Sequence, residues 1–142
     1  ELYKKNKCGA IGVEEVAESE TKKYGIVSTE DSSAKVSKIM TIVEKPSPEN
    51  APSRLGVVGR YILPTSIMSI IEDTKLGVGG EIQITDAISD ILAKERIDAY
   101  RFDGIRYDCG SKLGYLQANV AYALKSEELG GEFSNWLSDE VL

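Results

Sequence analysis

The 142-residue sequence contains no histidine, only two cysteines (Cys8 and Cys109), and no apolar run approaching a membrane span. Each shortage removes a class of function. Without histidine there is no Ser-His-Asp or Cys-His catalysis and no histidine metal site. The two cysteines stand in no metal-ligand spacing, so zinc is not expected and a reduced, cytoplasmic setting fits. A membrane helix takes roughly 18 or more consecutive apolar residues; neither that nor a signal-peptide pattern is visible, so no membrane partner is expected. Lys and Arg number 17 against 23 Asp and Glu, a net charge of −6. That argues against nucleic-acid binding, which needs concentrated positive charge. Any chemistry must come from carboxylates, lysine, arginine, backbone groups or a hard metal ion.

What is present suits a folded domain. Hydrophobic residues make up 42% and charged residues 28%, the balance of a globular protein long enough to bury a core. The opening "ELYKKNKCG" reads as the last turns of a helix entering a strand, which suggests a fragment of a longer chain. Strands are expected over 8–16, 24–28, 35–44 and 55–63, with a polar connector over 17–23 and a turn-rich "EDSSA" loop. The run "KVSKIMTIVE" is the clearest strand, and Pro46 ends its ladder by removing a donor.

Helices follow over 64–73, with Thr65 and Ser66 as candidate caps, and over 80–95. The second carries Ile84, Ala87, Ile88, Ile91 and Leu92 on one stripe. A strand over 96–104 places Tyr100 and Phe102 on one side. A helix over 112–126 repeats the stripe with Leu113, Leu116, Val120 and Leu124. Phe133, Trp136 and Leu137 form a small apolar face, either core or subunit contact. Strands and helices mixed in this way indicate an α/β or α+β architecture.

Glu44 and Lys45 end the best strand as an adjacent acid and base. Taken alone, the pair reads as an ion pair on a solvated strand end. Adjacent strand residues point to opposite faces, so both can serve one ligand only if the chain turns there, as Pro46 suggests. Gly25 and Gly59 are glycines in extended segments, where a ligand approaches or the backbone turns. Asp108, at a strand end before a glycine, suits a hard-ion ligand.

Five motifs stand in one order: "KYGIV" (23–27), "VEKP" (43–46), "VVGRYIL" (57–63), "GEIQITDA" (80–87) and "YDCGSKLGY" (107–115). Together they resemble the C-terminal half of the bacterial UTP–glucose-1-phosphate uridylyltransferases, a family of sugar nucleotidyltransferases, from about Cys8 to Leu137. The resemblance implies an α/β fold, the C-terminal portion of a Rossmann-like nucleotidyltransferase domain with a mixed central sheet. It implies transfer of a uridylyl group from UTP to glucose 1-phosphate, assisted by magnesium, with direct attack of the sugar phosphate and no covalent intermediate. By the same resemblance Glu44 accepts hydrogen bonds from sugar hydroxyls, Lys45 meets the sugar phosphate as the catalytic cation, Gly25 and Gly59 line the substrate, and Asp108 binds the metal.

The family's Gly-rich, basic triphosphate loop is not found. Residues 1–142 are therefore expected to be a partial domain, the sugar-binding half without the nucleotide-binding half, and inactive alone. A sheet lacking its first strands would leave an open edge. The other motif residues have structural readings. Arg60 is expected in an ion pair, Cys109 in the core, and Lys112 on the surface at a helix start. Asp86 or Glu81 would sit at a helix N-terminus, and the isoleucine stripe accounts for most of "GEIQITDA". A homo-oligomer is expected. The alternatives are a phosphosugar or nucleotide-sugar binding module without turnover, and an interaction protein whose C-terminal helices serve assembly.

Overall fold

Isoleucine and valine are the commonest buried side chains in the strands of this protein. The computed structural model describes residues 2–140, with the side chains of Leu2 and Val78 outside the description. It divides into two units, Glu1–Asp103 and Gly104–Leu142.

In the first unit, helix α1 (Leu2–Asn6) precedes strand β1 (Gly9–Glu15), whose Ile11 and Val13 are fully buried. The expected connector is wound into a 3-10 turn, Glu18–Lys23, before β2 (Gly25–Thr29). Strand β3 (Val36–Glu44) buries Ser37 and Ile39, then Ile42. Its alternation slips because Thr29 faces Ile39 whereas Ser28 faces Thr41. The extra residue is Met40, and one such residue in a bulge moves all that follows to the other face.

β4 (Leu55–Ile62) is followed by α2 (Ile67–Asp73). Neither expected cap acts there. Ser66 has helical dihedrals and its hydroxyl donates to Glu95, while the Ile67 N–H reaches the Pro64 carbonyl. The next helix, α3 (Ile84–Leu92), is shorter than the 80–95 expected from its stripe. Gly79 and Gly80 hold φ of 79° and 75°, a left-handed entry that no helix can include. Asp86 lies in the first turn of α3, but Glu81 stands before it. Strand β5 (Ile97–Arg101) ends before Phe102, because its partner β3 begins at Val36, opposite Tyr100.

These five strands form one mixed sheet, as expected. The sheet closes into a ring in the order β1-β4-β2-β3-β5. β5 pairs parallel with β1 and antiparallel with β3. The open sheet edge expected of a partial domain is therefore absent among the described residues: the last strand covers both flanks. Ala87, Ile88 and Ile91 of α3 meet Ile11, Val27, Ile39, Leu55 and Ile97 in one core. Each fully buried isoleucine contributes about 1.5–3 kcal/mol relative to exposure.

Asp98 of β5 is fully buried and accepts from Asn6 Nδ2 (2.7 Å), Cys8 Sγ (3.4 Å) and Arg96 Nε (2.8 Å). Burial would raise its pKa, but the hydrogen bonds from Arg96, Asn6 and Cys8 outweigh it and hold the carboxyl below the usual range.

In the second unit, α4 (Lys112–Leu124) and α5 (Gly130–Glu140) pack as a pair. Ser111 caps α4, its Oγ accepting from the Gly114 N–H at 3.0 Å. The expected leucine stripe does not bury: Leu113 is 67% and Leu116 60% exposed. The buried residues of α4 are Gly114 and Ala118, small side chains one turn apart that allow close backbone approach. Phe133 stacks on Trp136 at 5.8 Å between centroids, and Tyr107 meets Tyr122 edge-on at 6.2 Å. Among the described residues no helix is long and apolar enough to cross a membrane.

Candidate functional site

The start of β2 and the end of β3 bring three of the sequence candidates together. Gly25 pairs directly with Glu44 across the ladder, and the Lys45 N–H donates to the Tyr24 carbonyl at 3.0 Å. Lys45 then leaves the strand at φ 45°, in the left-handed region. For a residue with a Cβ that conformation costs roughly 1–2 kcal/mol. It also removes the opposite-face difficulty, since the backbone turns between the two charges. Lys45 Nζ lies 3.4 Å from Glu44 Oε1.

Pro46 follows, and the buried Thr21 hydroxyl, with its one proton, is shared between the Pro46 carbonyl at 3.2 Å and the Glu18 carbonyl at 3.1 Å.

The two charges differ in environment. The Glu44 side chain is 12% exposed and that of Lys45 is 49% exposed. A half-exposed ion pair contributes only about 0–1 kcal/mol to stability, so the pair is a weak clasp that a ligand can open. Glu44 Oε2 is held from the other side by the Thr85 hydroxyl, at 3.0 Å. Thr85 is buried in the first turn of α3. Gly25 completes the arrangement. A Cβ there would lie 2.8 Å from Thr85 Cγ2 and 3.3 Å from Glu44 Oε2, so only glycine leaves both in place. Its role is this close approach rather than a positive φ. Tyr61 of β4 is near enough that burial, and then the Glu44 charge, push its phenol pKa up.

Sequence reasoning missed Thr85 and Tyr61. The isoleucines explain the burial of α3, but they leave Thr85, a polar residue turned inward beside them, without a partner in any local pattern. That unexplained threonine was the available signal.

The remaining candidates stand elsewhere. Gly59 lies at φ 74° in a bulge of β4, where Ile11 pairs with Tyr61 and Val13 with Val57. A Cβ on Gly59 would meet nothing within 4 Å, so its backbone angle, not crowding, calls for glycine. Arg60 forms no ion pair among the described residues; its Nη1 reaches only the Gly59 carbonyl, at 3.3 Å. The bulge turns it outward, and it is exposed.

Asp108 belongs to the second unit. Its Oδ1 accepts from the Gly110 N–H at 3.1 Å, and its carbonyl accepts from Ser111 Oγ at 3.0 Å. A Cβ on Gly114 would collide with that carbonyl. Cys109, expected in the core, is exposed because this loop folds back on its own helix start. Lys112 opens α4 on the surface, as expected. No group of three or more His, Cys, Asp or Glu is placed to hold a metal among the described residues. A lone exposed carboxylate at Asp108 fits magnesium only as one ligand of a shell completed by phosphate and water.

The nucleotidyl transferase family model matches residues 2–125. The UTP–glucose-1-phosphate uridylyltransferase of Haemophilus ducreyi is 41% identical over 140 residues, 96% of this chain and 48% of the relative. That of Pseudomonas aeruginosa is 45% identical over 122 residues, 85% of this chain and 44% of the relative. Among solved structures, a UDP-glucose pyrophosphorylase complexed with UDP-glucose superposes with a TM-score of 0.83 at 48% identity, covering 88% of this chain and 47% of that one. A UTP-bound enzyme from Acinetobacter baumannii gives 0.86 at 40% identity, covering 98% and 48%. The chain spans about half the length of the curated relatives it matches.

Proposed function

The chain belongs to the nucleotidyl transferase family, and from that premise we propose that it is the sugar-phosphate side of a UTP–glucose-1-phosphate uridylyltransferase. The observation that carries the proposal is the left-handed turn at Lys45, which sets an ammonium beside a carboxylate already anchored by Thr85. Glu44 accepts hydrogen bonds from neighbouring sugar hydroxyls, charge-assisted and so of the stronger kind. Lys45 neutralises the phosphate that attacks the α-phosphorus of UTP, an electrostatic role in which the donor is positioned before charge develops. Gly25 and Gly59 carry backbone next to the substrate. Asp108 supplies one carboxylate to magnesium, which when bound offsets phosphate charge. The residues that hold UTP lie in the other half of the domain, outside 1–142.

The free thiols Cys8 and Cys109 suit the cytoplasmic setting that belongs to this proposal. Self-association belongs to it too and rests on the exposed leucines of α4; light scattering should give a mass above that of one chain, and a monodisperse monomer would remove this part.

The test is UDP-glucose formation from UTP, glucose 1-phosphate and magnesium, measured by pyrophosphate release. The chain alone should match a blank without enzyme. The same chain joined to a nucleotide-binding half should turn over, and Asp108→Asn should lower that rate. Turnover by the chain alone would refute the division of labour. A completed enzyme that ignored glucose 1-phosphate would refute the assignment. Binding of a nucleotide sugar without turnover would favour a recognition module instead.

A further inference from the structure

Glu44 ends a strand, and a carboxylate in that place has two rotatable bonds beyond its Cβ and two equivalent oxygens. To accept two hydroxyls of one ligand it must be held in one orientation. The neighbouring Lys45 cannot do this, because its side chain is half exposed and long. Thr85 can. It is 5% exposed, its β-branched side chain has few rotamers, and it sits in the first turn of a helix whose Ala87, Ile88 and Ile91 lie in the core. Its hydroxyl donates to Glu44 Oε2 at 3.0 Å, across 41 positions of sequence. The missing Cβ of Gly25 is what gives the Thr85 methyl room.

We infer that Thr85 is a positioning residue: it fixes the Glu44 carboxylate so that Oε1 is presented to the Lys45 ammonium and to the hydroxyls of a sugar phosphate. The inference rests on the proposed function and adds to it a residue of the "GEIQITDA" motif that touches no substrate. The interlock runs in one direction. α3 is fixed by the core, Thr85 is fixed by α3, and Glu44 is fixed by Thr85.

The experiment uses the completed enzyme, with KM and kcat measured for each substrate separately. Thr85→Val keeps the shape and removes the hydroxyl. It should raise the KM for glucose 1-phosphate about tenfold, the lower end for loss of one hydrogen bond to a charged group, and leave the KM for UTP within about twofold. Thr85→Ser, which keeps the hydroxyl, should recover most of the loss. Glu44→Gln should impair glucose 1-phosphate on its own, and adding Thr85→Val to it should change little further, since the two act as one unit. If Thr85→Val fails to fold, Thr85→Ala carries the same comparison.

Equal behaviour of the valine and serine variants, or full additivity with Glu44→Gln, would overturn the positioning role while leaving the function of Glu44 intact. A Glu44→Gln enzyme with normal glucose 1-phosphate kinetics would overturn both.

Discussion

The Thr21 hydroxyl lies between the Pro46 carbonyl at 3.2 Å and the Glu18 carbonyl at 3.1 Å, joining the turn that begins at Lys45 to a segment 25 positions away. Both strands of that turn are already tied by the Lys45 N–H to the Tyr24 carbonyl. Thr21→Val should remove the buried donor that the two carbonyls share and cost about 1–3 kcal/mol. Urea unfolding of the chain checks it. A midpoint within error of the parent would mean that the turn is held by its strands alone.

Lys45 separates a functional from a structural reading of the same pair. If it neutralises the sugar phosphate, Lys45→Ala in the completed enzyme should lower kcat/KM by at least about a hundredfold, in line with roughly 2.7–4 kcal/mol for comparable electrostatic roles. If it only pairs with Glu44, activity is spared and stability falls by under about 1 kcal/mol. Lys45→Gly should lose activity as alanine does yet be the more stable of the two, because glycine accepts φ 45° without strain.

Gly25→Ala tests the interlock from the opposite side. The new methyl must displace Thr85 or Glu44. Overpacking of this kind costs typically 1–3 kcal/mol, read as a lower melting temperature, and glucose 1-phosphate binding should weaken with it. A fully stable alanine variant would show that α3 yields easily there.

Asp98 ties part of the fold's stability to pH. Its carboxyl is held below the usual range, so the unfolded chain binds its proton first as pH falls. The stabilisation is thus complete above the ordinary aspartate pKa of about 3.9 and is lost as pH falls through the lower folded value. Asp98→Asn should be less stable than the parent at neutral pH, and the difference should shrink in acid below the folded pKa. Melting curves recorded against pH give the comparison; a difference that does not change with pH would be at odds with the assignment.

The fold was legible wherever side chains repeat with the period of their element. The β-branched run of β3, stopped by Pro46, and the isoleucines of α3 are both where the pattern puts them. The motifs were equally legible as a family signature. Long-range pairing was not. Nothing local says that β5 will lie parallel to β1 and antiparallel to β3, and so the closed ring replaced an open edge. The leucines of α4 illustrate a second limit, for periodicity marks a face without saying that anything covers it. At the candidate site, Pro46 signalled that the chain turns after Glu44, but nothing signalled the left-handed form of that turn, for which lysine has no preference. Thr85 stood out as a polar residue among inward isoleucines, but its partner showed only once the helix lay against the end of β3.

The closed ring has a consequence for how the chain is made. Of these five strands β1 emerges first, but its two neighbours are β4 and β5, the last of the five. The β2–β3 hairpin can zip as soon as Glu44 is free, since its partners are close in sequence. β1 has no such option: its first ladder must wait for Ile62 of β4, and its second until Arg101 has left the ribosome. Contacts of such sequence separation make folding slow. During that interval Ile11 and Val13 lack the neighbours they have in the ring, and the earliest of the five strands is the one most open to proteases and to chaperones that bind apolar strands.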